Sequence, residues 1–274
     1  MNNLDKINIT NLKVFAYHGV FENEKKNGQD FFINATLYLD MHKAGLSDDL
    51  SLSVNYGEVC EFITNTLCEK NFDLIEAAAT YTTTKLLINY PKIVQVDFEL
   101  CKPHAPVGLP FENISVKISR KWHKVYVAVG SNLGDSKEIT NTALSSIKEN
   151  TFIKSTACST LITTKPYGYV DQPDFINGAI CFYTLYTPNE LLDYLHTLES
   201  NAKRVRNIHW GPRTLDLDIL FYDDLIMYTK DLIIPHPEIE KRDFVLIPMN
   251  ELNPYLIHPV LNKSIKELYS LLLA

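Results

Sequence analysis

The strict alternation of apolar and acidic residues in Leu215-Asp216-Leu217-Asp218-Ile219 constrains the fold of this chain more than any other feature. Because successive side chains of a β-strand point to opposite faces, the apolar residues predict a buried face, and the two carboxylates share the other face. Carboxylates held side by side on a strand can bind Mg²⁺ against polyphosphate oxygens. Such pairs are also common on strands that bind no metal, so the spacing alone leaves both interpretations open.

Basic residues are concentrated just before this predicted strand. Lys203, Arg204, Arg206 and Arg213 lie close together in a chain whose formal net charge is -7. Each half of the chain is acidic overall, which argues against a nucleic-acid-binding protein. The cluster therefore predicts a local site for anionic groups such as nucleotide phosphates. No P-loop motif is present, and the glycines at 130–134 indicate a strand-to-helix turn rather than a phosphate cradle.

The cysteines and the hydropathy pattern indicate the cellular compartment of the protein. Five cysteines are scattered without C-x-x-C spacing, which favours a reducing compartment over a disulfide framework or a structural zinc site. The first residues contain neither a basic nor an apolar targeting region, and no apolar run approaches the ~18 residues that a membrane span requires. We therefore expect a cytoplasmic protein that does not bind a membrane.

The first half of the chain predicts a small sheet with two helices. Its predicted elements, in chain order, are strands at 7–16 and 31–40, helices at 59–67 and 74–89, and strands at 94–100 and 114–118. The helices would cover one face of such a sheet, and the other face and the edges would need partners. We therefore predict a homo-oligomer formed through this half.

The second half predicts a different order of elements. These are a strand at 125–129, a helix at 136–150, strands at 153–163 and 175–185, a helix at 188–202 and the acidic strand at 214–222. This order is that of a ferredoxin-like fold. A short extension ends in a helix at 264–273. The segment 120–123 is the predicted linker, with the domain boundary between residues 121 and 122.

Residues around the acidic strand match a known pattern. Arg204-Val205-Arg206 precedes Trp210-Gly-Pro-Arg-Thr-Leu-Asp-Leu-Asp-Ile, and Pro235-His236-Pro237 follows. The second half therefore resembles the 6-hydroxymethyl-7,8-dihydropterin pyrophosphokinases. The resemblance implies transfer of a pyrophosphoryl group from ATP to the hydroxymethyl oxygen of a dihydropterin, with release of AMP.

This resemblance also implies roles for individual residues. Asp216 and Asp218 would bind two Mg²⁺ ions, and Arg204 and Arg213 would act on the phosphates during catalysis. The residues implied in ATP binding are His196, Arg204, Arg206, Trp210, Arg213, His236 and Arg242. The residues implied in pterin binding are Thr164, Pro166, Tyr167, Phe175, Asn177 and Phe244.

Four positions of the second half leave questions open. Phe175 and Phe244 either stack on the pterin ring or are ordinary core residues. His196 stands where the family often has Gln near ATP, and Lys165 stands where Pro is usual beside the pterin loop. Both departures could change affinity, but neither removes a metal ligand or a phosphate-binding arginine.

The first half carries a second set of short motifs. In chain order these are Tyr17-His18-Gly19-Val20, Gly28-Gln29, Val54-Asn55-Tyr56-Gly57-Glu58-Val59, Leu74-Ile75-Glu76 and Lys102-Pro103. Each motif means little alone, but together they resemble the dihydroneopterin aldolases over residues 4–120. The resemblance implies the tunnelling fold, a ring of subunits with active sites between them, and retro-aldol cleavage of 7,8-dihydroneopterin.

The aldolase resemblance implies a general acid–base pair of Lys102 and Tyr56, with Glu24 near the substrate. It further implies that Glu76 and the backbone of Ile75 bind the pterin ring, whose N–H donors suit a carboxylate. No cofactor is required, because the ring itself takes up the developing negative charge. A lysine is protonated at neutral pH, so a basic role for Lys102 would require burial or a neighbouring charge that favours the neutral amine.

The two halves together predict an α+β chain. A tunnelling-fold (ββααββ) aldolase domain at 1–121 would precede a ferredoxin-like α/β pyrophosphokinase domain at 122–274. The product of the first domain would be the substrate of the second, as expected of a bifunctional enzyme of folate biosynthesis. The expected partners are pterins, ATP, Mg²⁺ and further copies of the chain, as a tetramer or octamer. The alternative is an active pyrophosphokinase whose first domain is an epimerase or an oligomerising scaffold.

Overall fold

The computed structural model describes residues 4–166, 171–202 and 213–273. The chain divides into two compact units, Met1–Trp122 and His123–Ala274, one residue after the predicted boundary. In the part of the chain that is described, no helix is both long and apolar enough to cross a membrane.

The first unit is built on one antiparallel sheet in the order β1-β2-β3-β4. Its elements are β1 (Asp5–Ala16), α1 (Glu22–Asn27), β2 (Gln29–Leu39), α2 (His42–Ser47), α3 (Tyr56–Cys68), α4 (Ile75–Asn89), β3 (Gln95–Cys101) and β4 (Ser115–Lys121). The predicted order of strands and longer helices is confirmed, and the short helices α1 and α2 are additions to it. The pairing of β1 with β2 shifts between Ile9 and Leu12, where Asn11 has a φ of 53°.

One face of this sheet forms the core of the first unit. Phe31, Ile33 and Leu37 alternate along β2 and are fully buried, as the period of a half-buried strand requires. Ile63 of α3 and Leu87 of α4 are also fully buried. The helices therefore cover this apolar face, as predicted.

The opposite face of the sheet is polar. Asn34 donates from Nδ2 to Glu99 Oε2 at 3.0 Å, and the hydroxyl of Tyr38 donates to Asp97 Oδ2 at 2.5 Å. These side chains satisfy one another's hydrogen-bonding groups across β2 and β3, so the face needs no apolar cover. The oligomer expected from this uncovered face and the sheet edges stays a prediction. Within the described residues, the outer edges of β1 and β4 have no neighbouring strand.

The second unit has a sheet in the order β6-β8-β5-β9, with β7 also paired to β8. Its elements are β5 (His123–Ser131), α5 (Ser136–Glu149), β6 (Ile153–Cys158), β7 (Ile162–Thr164), β8 (Phe175–Thr184), α6 (Pro188–Asn201), β9 (Asp216–Tyr222), β10 (Met227–Tyr228), β11 (Ile233–Ile234), α7 (Asp243–Leu252) and α8 (Ile265–Leu273). The ferredoxin-like order is confirmed. The predicted strand at 153–163 is two strands, β6 and β7, and α7 was not predicted.

Both faces of this second sheet are buried. Helices α5 and α6 pack on one face, against residues such as Val125 and Val127 of β5. Helices α7 and α8 pack on the other, against residues such as Tyr126. The alternation along β5 therefore divides its side chains between two apolar layers.

The acidic strand is an edge strand that pairs with β5. Asp216 lies opposite Gly130, and Asp218 lies opposite Ala128. Asn177 of β8 lies opposite Gly130 on the other side of β5. The small residues at positions 128 and 130 leave space above the centre of the sheet, between side chains from β8 and β9.

Candidate active sites

The first unit contains a buried ion pair between Glu24 and Lys102. Nζ of Lys102 lies 2.6 Å from Oε1 of Glu24, and the two side chains are only 10% and 6% exposed. Glu24 belongs to α1, and Lys102 directly follows β3, so the fold joins residues that are distant in sequence. Glu24 also accepts from the backbone N–H of Phe21 at 3.1 Å and from Nε2 of Gln29 at 3.3 Å.

These contacts determine the charge on Glu24. Burial raises the pKa of this carboxyl, but the hydrogen bonds from Lys102 and Phe21 and the charge of Lys102 outweigh it, so the pKa lies below its ordinary value. Glu24 is therefore a carboxylate at neutral pH, and Lys102 is its ammonium partner.

Gly19 explains part of the Tyr-His-Gly motif. Its φ is +152°, and a Cβ at this position would collide with the carboxylate of Glu24. Only glycine lets the backbone approach the ion pair this closely.

His18, the preceding residue, is buried beside the same ion pair. Its carbonyl oxygen accepts from Nζ of Lys102 at 3.4 Å, and its Nδ1 accepts from the backbone N–H of Phe72 at 3.2 Å. Burial, and next the charge of Lys102, lower the pKa of His18 to about 4, so the ring is neutral. The motif contained His18, but sequence reasoning gave it no role.

The other predicted residues of the first unit are not hydrogen-bonded to this pair. Tyr56 is the first residue of α3 and is 66% exposed. Glu76, in the first turn of α4, is exposed, and Ile75 is buried. All of these residues are described, and no hydrogen bond or ion pair joins Tyr56 or Glu76 to Lys102. A single copy of the chain therefore brings Glu24 and Lys102 together but not the predicted partner of Lys102.

The second unit contains a cavity of about 240 Å³ above the centre of its sheet. Nine of the predicted site residues line it: Thr164, Phe175, Asn177, Arg213, Asp216, Asp218, His236, Arg242 and Phe244. Pro166 is described but is not among the lining residues. Tyr167, Arg204, Arg206 and Trp210 lie outside the described residues.

The two aspartates form the acidic part of this cavity. Burial, and next the carboxylate of Asp216, raise the pKa of Asp218 to about 7. Asp216 forms an ion pair with the guanidinium of Arg213, three residues earlier. No group of three metal-ligating side chains exists among the described residues. Mg²⁺ is commonly held by one or two carboxylates with waters and substrate phosphates, so the donor set fits this ion.

Two basic side chains face the aspartates. Nε of Arg242 is buried and has no hydrogen-bond partner among the described residues, so the guanidinium has a free donor. Burial, and next the charge of Arg242, lower the pKa of His236 to about 4. Nδ1 of His236 accepts from the backbone N–H of Glu238 at 3.2 Å, which leaves its proton on Nε2. Both side chains can donate hydrogen bonds to an anion.

The other end of the cavity is suited to a flat polar ring. Nδ2 of Asn177 donates to Oγ1 of Thr164 at 2.7 Å. A Cβ on Gly130 would lie 2.9 Å from Oδ1 of Asn177, so glycine gives this amide its room. Phe175 and Phe244 are half-buried and line the cavity, and Phe244 also packs against the core of the second unit, so both interpretations stay open. Lys165 also lines it and pairs with Asp174 at 3.0 Å.

A second cavity, of about 850 Å³, adjoins the first. It lies between α6, β9 and the segment around β11, and His196 lines it. Asp218 and His236 line both cavities. The structure therefore brings His196 to the same acidic strand as the smaller cavity, but from the other side.

Glu199 is a residue of this second cavity that sequence reasoning missed. Its side chain is buried, and Oε1 accepts from the backbone N–H of Leu217, between the two aspartates, at 2.9 Å. Glu199 follows Leu191 and Leu195 at four-residue intervals on the buried face of α6. An acidic residue in phase with an apolar stripe was the signal that could have identified it.

The chain matches two family models, one in each unit. The sequence model of the family described as 7,8-dihydro-6-hydroxymethylpterin-pyrophosphokinase matches residues 126–254, and that of dihydroneopterin aldolase matches residues 7–119. The chain is 38% identical over 143 residues to the 2-amino-4-hydroxy-6-hydroxymethyldihydropteridine pyrophosphokinase of Aquifex aeolicus, an alignment that covers 52% of this chain and 88% of that protein.

Two further relatives extend across or into the first unit. The chain is 30% identical over 285 residues to the folic acid synthesis protein FOL1 of Dictyostelium discoideum, covering 94% of this chain. It spans only 43% of that relative's length. A solved structure of E. coli dihydroneopterin aldolase in complex with neopterin is 26% identical, covers 43% of this chain and 99% of that chain, and gives a TM-score of 0.40.

The second unit combines a ferredoxin-like fold with a cavity that is lined by two aspartates, two arginines and a polar amide. The chain belongs to the 7,8-dihydro-6-hydroxymethylpterin-pyrophosphokinase family through this unit, and its first unit matches the family model of dihydroneopterin aldolase.

Proposed function

We propose that this chain catalyses two consecutive reactions on pterins. The first unit would cleave 7,8-dihydroneopterin to glycolaldehyde and 6-hydroxymethyl-7,8-dihydropterin. The second would transfer a pyrophosphoryl group from ATP to the hydroxymethyl oxygen and release AMP. The observation that carries the proposal is that two cavities of the second unit meet at Asp218 and His236, so that two substrates can be held on either side of one acidic strand.

In the second unit, the pterin would occupy the smaller cavity. Asn177 and Thr164 would hydrogen-bond its polar edge, because an amide and a hydroxyl both donate and accept. Phe175 and Phe244 would contact its faces. The hydroxymethyl group would then point towards Asp218, where the two cavities meet.

ATP would occupy the larger cavity, with its phosphates at Asp218 and His236. Asp216 and Asp218 would hold Mg²⁺, which would supply neutralisation of the phosphate charge. Arg242 and Nε2 of His236 would donate to phosphate oxygens, and the ion pair with Asp216 fixes the guanidinium of Arg213 beside them. Catalysis of this kind rests mainly on positioning and charge stabilisation.

In the first unit, Lys102 would act in the proton transfers of the retro-aldol step. Its ammonium, paired with Glu24, is the donor that can protonate the carbon left when glycolaldehyde departs. Glu76 would bind the donors of the pterin ring. The ion pair favours an aldolase over a scaffold, because a buried pair of charges loses solvation that a scaffold has no need to sacrifice.

We propose that Tyr56 reaches Lys102 from a second copy of the chain, in a tetramer or octamer. Tyr56 is exposed, and within one copy no hydrogen bond joins it to Lys102. Phe15, Val20 and Leu74, which are near the motifs of the site, are each at least half exposed. Exposed apolar side chains of this kind are typical of a protein–protein interface.

A cytoplasmic location stays a prediction of the scattered cysteines.

Two variants of the full chain test the assignment of each reaction to its unit. Lys102→Ala should lower the turnover of 7,8-dihydroneopterin at least about a hundredfold, as expected on loss of a general acid–base group, and leave pyrophosphoryl transfer to added 6-hydroxymethyl-7,8-dihydropterin unchanged. Asp218→Asn should do the reverse. If retro-aldol turnover in Lys102→Ala stays within a few-fold of the wild type, the assignment of Lys102 is wrong.

A further inference from the structure

Asn132 is a buried amide at the centre of the second unit that the proposed function does not use. It directly follows β5, in the turn that leads to α5, and is only 4% exposed. It is not among the residues that line either cavity. The sequence motif around it was interpreted as a turn, which explains the glycines but not a buried asparagine.

The side chain of Asn132 joins two segments that are far apart in sequence. Its Oδ1 accepts from the backbone N–H of Arg213 at 2.7 Å. Its Nδ2 donates to Oε1 of Gln172 at 3.0 Å and to the carbonyl oxygen of Pro173 at 3.1 Å. Both N–H groups and the oxygen of the amide are therefore in use. The backbone N–H of Asn132 also donates to the carbonyl oxygen of Arg213, at 2.9 Å.

The two segments carry opposite sides of the proposed site. Gln172 and Pro173 lead directly into Phe175, at the start of β8, on the proposed pterin side. Arg213 leads into Asp216, at the start of β9, on the phosphate side. The amide is thus a single buried link between the pterin-binding residues and the acidic strand.

We propose that Asn132 is a positioning residue for pyrophosphoryl transfer, which holds the pterin side of the cavity in register with the acidic strand; this inference rests on the proposed function. Asn132 touches neither substrate. Its donors fix the 172–173 segment, and its acceptor fixes Arg213. Loss of the donors alone should therefore displace the pterin side and leave the phosphate side in place.

The variant Asn132→Asp separates the two halves of the link. A carboxylate has the same shape as the amide and still accepts from Arg213, but it has no N–H groups for Gln172 and Pro173. Gln172→Ala removes one of the two acceptors without adding a charge to the site. Asn150→Asp is the matched control. The amide of Asn150 also accepts from a backbone N–H, that of Phe152 at 2.8 Å, and donates to the hydroxyl of Tyr186 at 3.2 Å, and Asn150 lines neither cavity.

The measurement is calorimetric binding of two ligands to each full-length variant. The ligands are a non-hydrolysable ATP analogue with Mg²⁺, and 6-hydroxymethyl-7,8-dihydropterin added in its presence. Asn132→Asp should weaken pterin binding about tenfold, equivalent to about 1.4 kcal/mol. It should change the affinity for the ATP analogue less than about twofold. Gln172→Ala should shift pterin binding in the same direction by a smaller factor, and Asn150→Asp should change neither affinity.

A merely structural role for Asn132 gives a different pattern. If Asn132→Asp weakened the binding of both ligands equally, or left pterin binding unchanged, the positioning role would be overturned. The same conclusion would follow if Asn150→Asp had the same effect on pterin binding as Asn132→Asp. A wild-type chain that bound neither ligand would instead overturn the proposed function, and this inference with it.

Discussion

Breaking the ion pair between Glu24 and Lys102 should destabilise the first unit strongly. Glu24→Gln removes the negative charge that compensates Lys102, whose side chain is only 10% exposed, and leaves it only neutral acceptors such as the carbonyl oxygen of His18 at 3.4 Å. Removing one partner of a buried ion pair typically lowers the free energy of unfolding by about 3–5 kcal/mol. The pair between Lys13 and Asp30 is the matched control, since its side chains are 60% and 31% exposed. Asp30→Asn should therefore lower the free energy by no more than about 1 kcal/mol.

Hydrogen exchange of the full chain, read from peptides that cover β2 and β3, measures this free energy for the first unit alone. A loss of 3 kcal/mol corresponds to exchange of the slowest amides faster by more than about a hundredfold. The double variant Glu24→Gln with Lys102→Met removes both charges and should recover most of the loss. If the slowest amides of Glu24→Gln exchange no faster than those of Asp30→Asn, the reasoning from burial is refuted.

The same pair should make the stability of the first unit depend on pH. In the folded chain the pKa of Glu24 is lower than its ordinary value, so the unfolded chain binds the proton more readily. The stabilisation is therefore complete above the unfolded pKa of about 4.3 and is lost as the pH falls through the folded value. Glu24→Gln should remove this part of the acid sensitivity.

Three further predictions concern other residues. The pKa of Asp218 is raised to about 7, so binding of Mg²⁺ with an ATP analogue at pH 7 should release about half a proton more from the wild type than from Asp218→Asn. Calorimetry in buffers of different ionisation enthalpy measures this release. Equal release from the two proteins would contradict a role for Asp218 in binding the ion. Without the ion, the folded Asp218 retains its proton between the unfolded pKa of about 3.9 and pH 7, so its contribution to stability decreases as the pH rises through this range. Gly19→Ala should lower the stability of the first unit in a urea titration and abolish retro-aldol turnover, whereas Gly45→Ala, in α2 and with open space around it, should lower neither. Glu199→Ala should lower the free energy of unfolding of the second unit by about 1–3 kcal/mol in a urea titration, because the N–H of Leu217 loses its buried acceptor. A change below about 0.5 kcal/mol would show that this hydrogen bond is unimportant.

The fold could be predicted from the sequence because its strands have clear alternation. Leu217 and Ile219 are buried in β9, as the pattern of that strand required. Helix α7, which covers the second face of this sheet, was not predicted. Proline is the least favourable residue inside a helix, so the segment around Pro248 gives little helical signal.

The candidate sites could be predicted only in part. Glu24 and Lys102 were identified through short motifs, but their ion pair depends on the turn at Gly19, which no local pattern specifies. Glu199 accepts a hydrogen bond from the backbone of Leu217, and the amide of Asn132 bonds to Arg213, Gln172 and Pro173, all of them distant in sequence. Such contacts depend on the three-dimensional packing of β5, β9 and α6, and a periodic pattern of apolar residues contains no information on them.

Product analysis of the purified wild-type chain tests the central claim most directly. The chain is incubated with 7,8-dihydroneopterin, ATP and Mg²⁺, and the products are identified by mass spectrometry. We predict glycolaldehyde, AMP and 6-hydroxymethyl-7,8-dihydropterin diphosphate from this single mixture. Formation of AMP and the diphosphate only after 6-hydroxymethyl-7,8-dihydropterin is supplied would contradict an active aldolase in the first unit.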